Sequence, residues 1–302
     1  MADLPPPSGP PRLPTPDVPP PPPGHWPLGD ASRTPTPTSL HVAGPGPGAQ
    51  RGTGLGLPFA AIAVYLAGQL GLQLVAGLVL VATGVLDPAL LDPQEGGTAL
   101  LAIVVASQAV GLLAVLLLLR RRTVPLGPLV GPLRPLGRHL GIGAGLGVAT
   151  IIASLTVVSV LVGLSGNDAA PEQLLTGDII ESPLQMLLAV LIAVVLAPLA
   201  EELVFRGLLH RNLRRRMRIV PATLISSVLF ALVHVDVVLS QPIALVGLTL
   251  AGAVMAIAYE RTGSLVVPVV IHAVYNATTL VALVVTSRLD PDLLVGLLPV
   301  LR

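Results

Sequence analysis

Neither cysteine nor lysine occurs among the 302 residues, and aromatic side chains make up only 2% of them. Without cysteine there can be no disulfide and no thiolate metal site, and the redox compartment stays open. All 17 basic residues are arginine. An Ala/Gly/Pro/Arg-rich chain without lysine points to a GC-rich bacterial genome. Charge is scarce as well, at 11% of residues against 53% hydrophobic. With a mean hydropathy of +0.84, a soluble protein of this length could not hide its apolar surface, so the composition predicts a polytopic membrane protein. Also missing are a His-Glu-x-x-His pair, a Gly-rich phosphate loop and a Ser nucleophile elbow. No nucleic-acid partner is expected.

Residues 1–52 form the first unit, rich in Pro, Gly, Ser and Thr and including the run Pro19–Pro23. Such a segment buries too little apolar area to offset its ordering entropy, and proline favours extended backbone. It lacks the basic start and apolar core of a signal peptide, so a retained, disordered cytoplasmic tail is expected. A solvated tail is the plain reading, and a docking partner for its Pro-rich stretch is the alternative.

Residues 53–302 read as an all-α membrane domain. Apolar runs fall at roughly 57–85, 98–119, 139–164, 184–205, 219–239, 243–259 and 264–287, with a short eighth at 292–301 that suits the interface. A bilayer span needs about 20 residues as a helix, so about seven spans are expected. Arginines cluster at Arg120–Arg122, Arg134 and Arg138, and again from Arg206 to Arg218. The alternate loops carry none, only acids such as Asp87, Asp92, Asp168 and Glu172. The positive-inside rule then places the N-terminus in the cytoplasm, probed by the arginine of loops two and four. Arg261 agrees, and Arg288 is the exception. The expected location is a cell membrane, with the lipid bilayer itself as a partner.

Five of the chain's polar side chains stand out against this background. Glu201 and Glu202 end the fourth run, His234 lies in the fifth, and His272 with Asn276 in the seventh. Ionisable groups at membrane depth are costly and need a reason. Neighbouring glutamates point about 100° apart on a helix. Glu202 and Arg206, four apart with the acid first, suit a helical ion pair. That leaves Glu201 free for another side. Each residue has a plain reading: a supporting ion pair for Glu202 and Arg206, a glutamate reaching water for Glu201, interhelical hydrogen bonds for His234 and Asn276. Together they supply a base, two imidazoles and an amide, enough to activate a water and hold an oxyanion. His25 and His41 lie in the tail, and His139 and His210 lie in or beside arginine-rich loops, so these four have weaker claims.

The motifs Glu201-Glu202-Leu-Val-Phe-Arg206, Phe230-Ala-Leu-Val-His234 and His272-Ala-Val-Tyr-Asn276 resemble those of the CAAX-protease and bacteriocin-processing (CPBP, or Abi) family of intramembrane proteases. The segment Arg261–Pro268 is similar to that family too, and the resemblance covers about 180–287. It implies an all-helical membrane fold, a site opening to the cytoplasm, and cleavage of a peptide bond in a substrate peptide or protein near the membrane. Eukaryotic members trim prenylated CAAX tails. Carried over by position, Glu201 and His234 activate water, His272 and Asn276 stabilise the oxyanion, and Glu202 and Arg206 act as supports. The cofactor question stays open at this stage. Glu201, His234 and His272 could ligate one zinc ion with a vacant fourth position, or glutamate could activate water with no metal. Two other functions compete with an endopeptidase: a non-catalytic scaffold or regulator of the same fold, and a proton-coupled transporter. The first half of the chain holds no second polar set of the kind an inverted repeat would bring.

Overall fold

The structure is a computed structural model, and it describes residues 54–84, 93–165, 180 and 182–288. The tail 1–52, the eighth run at 292–301 and most of the loops 86–97 and 165–182 lie outside the described residues. The described chain is helical throughout: α1 Gly56–Ala82, α2 Pro93–Arg121, α3 Gly127–Val130, α4 Leu136–Ser165, α5 Pro183–Arg214, α6 Ile219–Leu232, α7 Val235–Ser240, α8 Ala244–Thr262 and α9 Val266–Arg288. No strand occurs among the described residues. In hydrocarbon every backbone polar group must be satisfied within the chain, and helices do this segment by segment. Among the described residues six helices (α1, α2, α4, α5, α8 and α9) are long and apolar enough to cross a membrane. The chain is a multi-pass membrane protein.

The fifth apolar run is the short one. Helix α6 has 14 residues and stops at Leu232. His234 then takes φ −86° and ψ 53° before α7 begins. The break leaves the Phe230 carbonyl without its usual backbone donor four residues on, and the His234 ring supplies one, Nδ1–H to that oxygen at 2.9 Å.

Helix α5 runs through the centre and touches α1, α2, α3, α6, α8 and α9. Its start is set by sequence: the Ser182 hydroxyl accepts from the Gln185 N–H, the Gln185 side chain accepts from the Ser182 N–H, and proline opens the first turn. Two stretches, Leu191–Leu196 and Leu203–His210, widen into π-helix. Glu201 and Glu202 lie on the six-residue α-helical stretch between them. Such wide turns rotate the side chains that follow and gather at functional sites.

Small residues let the other helices approach. A Cβ at Gly143 or Gly147 on α4 would come within 2.6 Å of Val270 or 2.8 Å of Val274 on α9. Gly68 on α1 crosses α2 at Gly111, where a Cβ would lie 3.0 Å from the Gly111 Cα. With lipid as apolar as the helices themselves, this close van der Waals contact is what drives association. Leu70, Leu74 and Leu78 on α1, and Ile152 and Leu155 on α4, stay exposed on the outer faces, as lipid contact requires. Gly263 ends α8 in the left-handed region at φ 64°, which turns the chain directly into α9.

Candidate active site

The three motifs converge on α5. Glu202 is fully buried, and its Oε1 accepts from Arg206 Nη1 at 2.8 Å. The same oxygen accepts from His272 Nδ1 on α9 at 2.9 Å. The arginine expected as its partner is therefore joined by a histidine. Arg206 also donates from Nη2 to the Gly252 carbonyl of α8 at 3.0 Å, and its guanidinium lies 4.4 Å from the centre of the Phe230 ring.

Glu201 faces another side of the helix, as neighbouring positions must. Its Oε2 stands 3.7 Å from His234 Nε2 and 3.9 Å from His272 Nε2. Its Oε1 accepts from the Tyr65 hydroxyl of α1 at 3.3 Å. Glu201 is 8% exposed, and the side chain of His234 is 26% exposed, so the site opens on the His234 side.

Phe230 is the wall against which these groups are set. Its ring packs edge-on against Phe205, His234 and His272 at centroid distances of 5.4, 5.0 and 5.6 Å. A helical face shared by Phe230 and His234 is visible in the sequence; the ring's contact with Arg206 and His272 is not.

Asn276 lies one turn along α9 from His272. Its Nδ2 donates to the Ala193 carbonyl in the first wide stretch of α5 at 2.8 Å. An amide nitrogen carries two hydrogens, so one remains. All six residues singled out from sequence thus gather along α5.

Each imidazole donates Nδ1–H to an oxygen, which leaves Nε2 as the atom turned toward Glu201. Metal-bound histidines are commonly oriented this way. Yet among the described residues no group of three His, Asp or Glu side chains is arranged to hold a metal ion. Glu201, His234 and His272 have the donor chemistry to hold zinc, and the steps proposed for these residues need none.

Helices α1 and α2, which carry none of the three motifs, also reach the site. The Tyr65 hydroxyl also lies within hydrogen-bond distance of Gln108 Oε1, at 2.9 Å, and Gln69 Nε2 donates to that oxygen at 2.7 Å. The available signal was polar residues, Gln69, Gln73 and Gln108, inside runs otherwise fit for lipid. His210, read from sequence as in or beside an arginine-rich loop, is fully buried on α5. Its Nδ1 is 3.3 Å from Ser226 Oγ and its Nε2 is 3.5 Å from Glu260 Oε2, and Arg214 holds the same carboxylate at 2.8 Å. This second cluster ties α5, α6 and α8 together beyond the motifs.

Comparison with known proteins places these residues in context. Residues 183–278, which contain all three motifs, match the sequence model described as type II CAAX prenyl endopeptidase Rce1-like. An Escherichia coli protein described as an uncharacterized 24.3 kDa protein is 33% identical over 174 residues, covering 56% of this chain and 73% of that one. No solved structure matches.

Proposed function

The chain belongs to the CAAX-protease and bacteriocin-processing family, and on that premise we propose that it is an intramembrane endopeptidase that cleaves a peptide bond with water activated by Glu201. One observation carries the reading: a buried carboxylate oxygen, Glu201 Oε2, faces the Nε2 atoms of two histidines from two other segments. A polar group buried at membrane depth without a fixed partner is costly, and catalysis is a common reason to retain one.

The chemistry follows from the donors and acceptors. A water between Glu201 Oε2 and the substrate carbonyl gives a proton to the carboxylate as its oxygen attacks the carbon, with His234 Nε2 accepting its second hydrogen bond. The tetrahedral oxyanion takes hydrogen bonds from the free Asn276 N–H and, when His272 carries both ring protons, from its Nε2–H. In that form Glu202 accepts the opposite N–H and compensates the imidazolium charge. Glu201 then returns its proton to the departing amine, the C–N bond breaks, and the carboxylate is restored.

The substrate class is a peptide or protein at the membrane, reached from the cytoplasmic face, because the arginine-rich segment that follows Glu201 marks that side. Prenylation of the substrate is not required by any residue named above. The test is to compare membrane and released peptides from cells carrying the wild type or Glu201→Gln. Substrates should persist uncut in the variant; identical peptide sets, with both proteins folded in the membrane, would reject the peptidase and favour a scaffold.

A further inference from the structure

The groups that hold Glu201 extend outside the matched segment. Tyr65 is 2% exposed, and its hydroxyl stands between Glu201 Oε1 and Gln108 Oε1. Helix α2 makes room for the ring at Gly111, where a Cβ would lie 2.9 Å from Tyr65 Cδ2. A phenol has one proton to give. The hydroxyl lies nearer Gln108 Oε1, at 2.9 Å, than Glu201 Oε1, at 3.3 Å, and the Gln108 oxygen also accepts from Gln69 Nε2 at 2.7 Å. Glu201 offers the anionic acceptor, and a hydrogen bond to a charged group is about twice as strong as a neutral one. The stronger pull of a carboxylate sets the direction against the nearer amide oxygen: the phenol keeps its proton and points it at Glu201 Oε1.

This has a consequence at the other carboxylate oxygen. With Oε1 tied to α1, Oε2 is the oxygen turned toward the two Nε2 atoms. We propose that Tyr65, with its proton directed by the Gln69–Gln108 pair, is a positioning residue that fixes Oε2 of Glu201 as the oxygen that takes the proton of the attacking water. The inference rests on the hydrolytic role proposed for Glu201. It gives the first two helices a part in the reaction, beyond packing.

The experiment measures kcat, KM and thermal midpoint for the full chain in lipid vesicles, using a membrane-anchored peptide that the wild type cleaves. Tyr65→Phe keeps the ring and removes the donor. It should lower kcat about 10- to 100-fold, the range for one hydrogen bond to a charged group, with KM and the midpoint unchanged. Gln69→Leu gives a second route to the answer. Without Gln69, the Gln108 oxygen competes more strongly for the Tyr65 proton, so kcat should fall by less than in Tyr65→Phe. Gln73→Leu, which loses only a bond to Ser107, should retain wild-type kcat. Wild-type kcat in both Tyr65→Phe and Gln69→Leu, beside an inactive Glu201→Gln, overturns the inference alone. A shift in midpoint without loss of kcat assigns Tyr65 a structural role and also overturns it. Wild-type activity in Glu201→Gln overturns the hydrolytic reading underneath.

Discussion

Glu202 and Arg206 are the most deeply buried charges of the site, at 0% and 1% exposure and 2.8 Å apart. Removing one partner of such a pair leaves the other charge uncompensated and costs about 3–5 kcal/mol. For Arg206→Met the stranded group is the Glu202 carboxylate, with only the His272 N–H still donating among the bonds described. For Glu202→Gln it is the guanidinium, left with the Gly252 carbonyl and the Phe230 face. At roughly 2–4 °C per kcal/mol for a domain of this size, each single variant should melt about 6–20 °C below the wild type. The double variant Glu202→Gln/Arg206→Met leaves no ion to solvate and should recover much of that loss. Circular dichroism at increasing temperature in one detergent reads all four proteins. A double variant that melts no higher than the weaker single variant would refute the reasoning. Activity gives an independent check: a glutamine at 202 can still accept from His272 Nδ1, so turnover per folded molecule should be partly retained, unlike in Glu201→Gln.

Three other expectations are open to direct measurement. Gly143→Ala should destabilise by about 1–3 kcal/mol through overpacking against Val270, whereas Gly145→Ala, with open space at its Cβ, should not; equal melting of the two would reject the close α4–α9 contact. Asn276→Ala should lower the rate on the order of 10²–10³-fold with little change in KM, as for loss of one oxyanion donor; a rise in KM alone would remove it from the chemistry. Because the chain has no cysteine, single cysteines at Ala89, Asn167 and the exposed Arg216 report topology cleanly. An impermeant thiol reagent should label the first two in intact cells and the third only after lysis, and the reverse pattern would invert the orientation.

What could be read in the sequence depended on the range of the interaction. The Glu202–Arg206 pair is set by spacing on one helix, and the structure has it at bonding distance. The apolar runs give the helices because lipid leaves the backbone few alternatives. The break at His234 was hidden, since Phe230-Ala-Leu-Val-His234 reads as continuous apolar helix. The wide turns of α5 were hidden as well, in a helix that packs against six others. Tyr65 meets Glu201 across 136 residues, a pairing that no local pattern encodes. Glutamines inside α1 and α2 were the visible trace of it, and their cost in lipid was the reason to look.

The central claim is that Glu201 directs water onto a peptide bond, and isotope-labelled water tests it most directly. Purified protein in vesicles would be incubated with membrane-anchored peptides in H₂¹⁸O, and the new C-termini weighed by mass spectrometry. The account predicts one ¹⁸O in each newly formed carboxylate with the wild type and no cleavage with folded Glu201→Gln. Cleavage of equal extent by both proteins would contradict it.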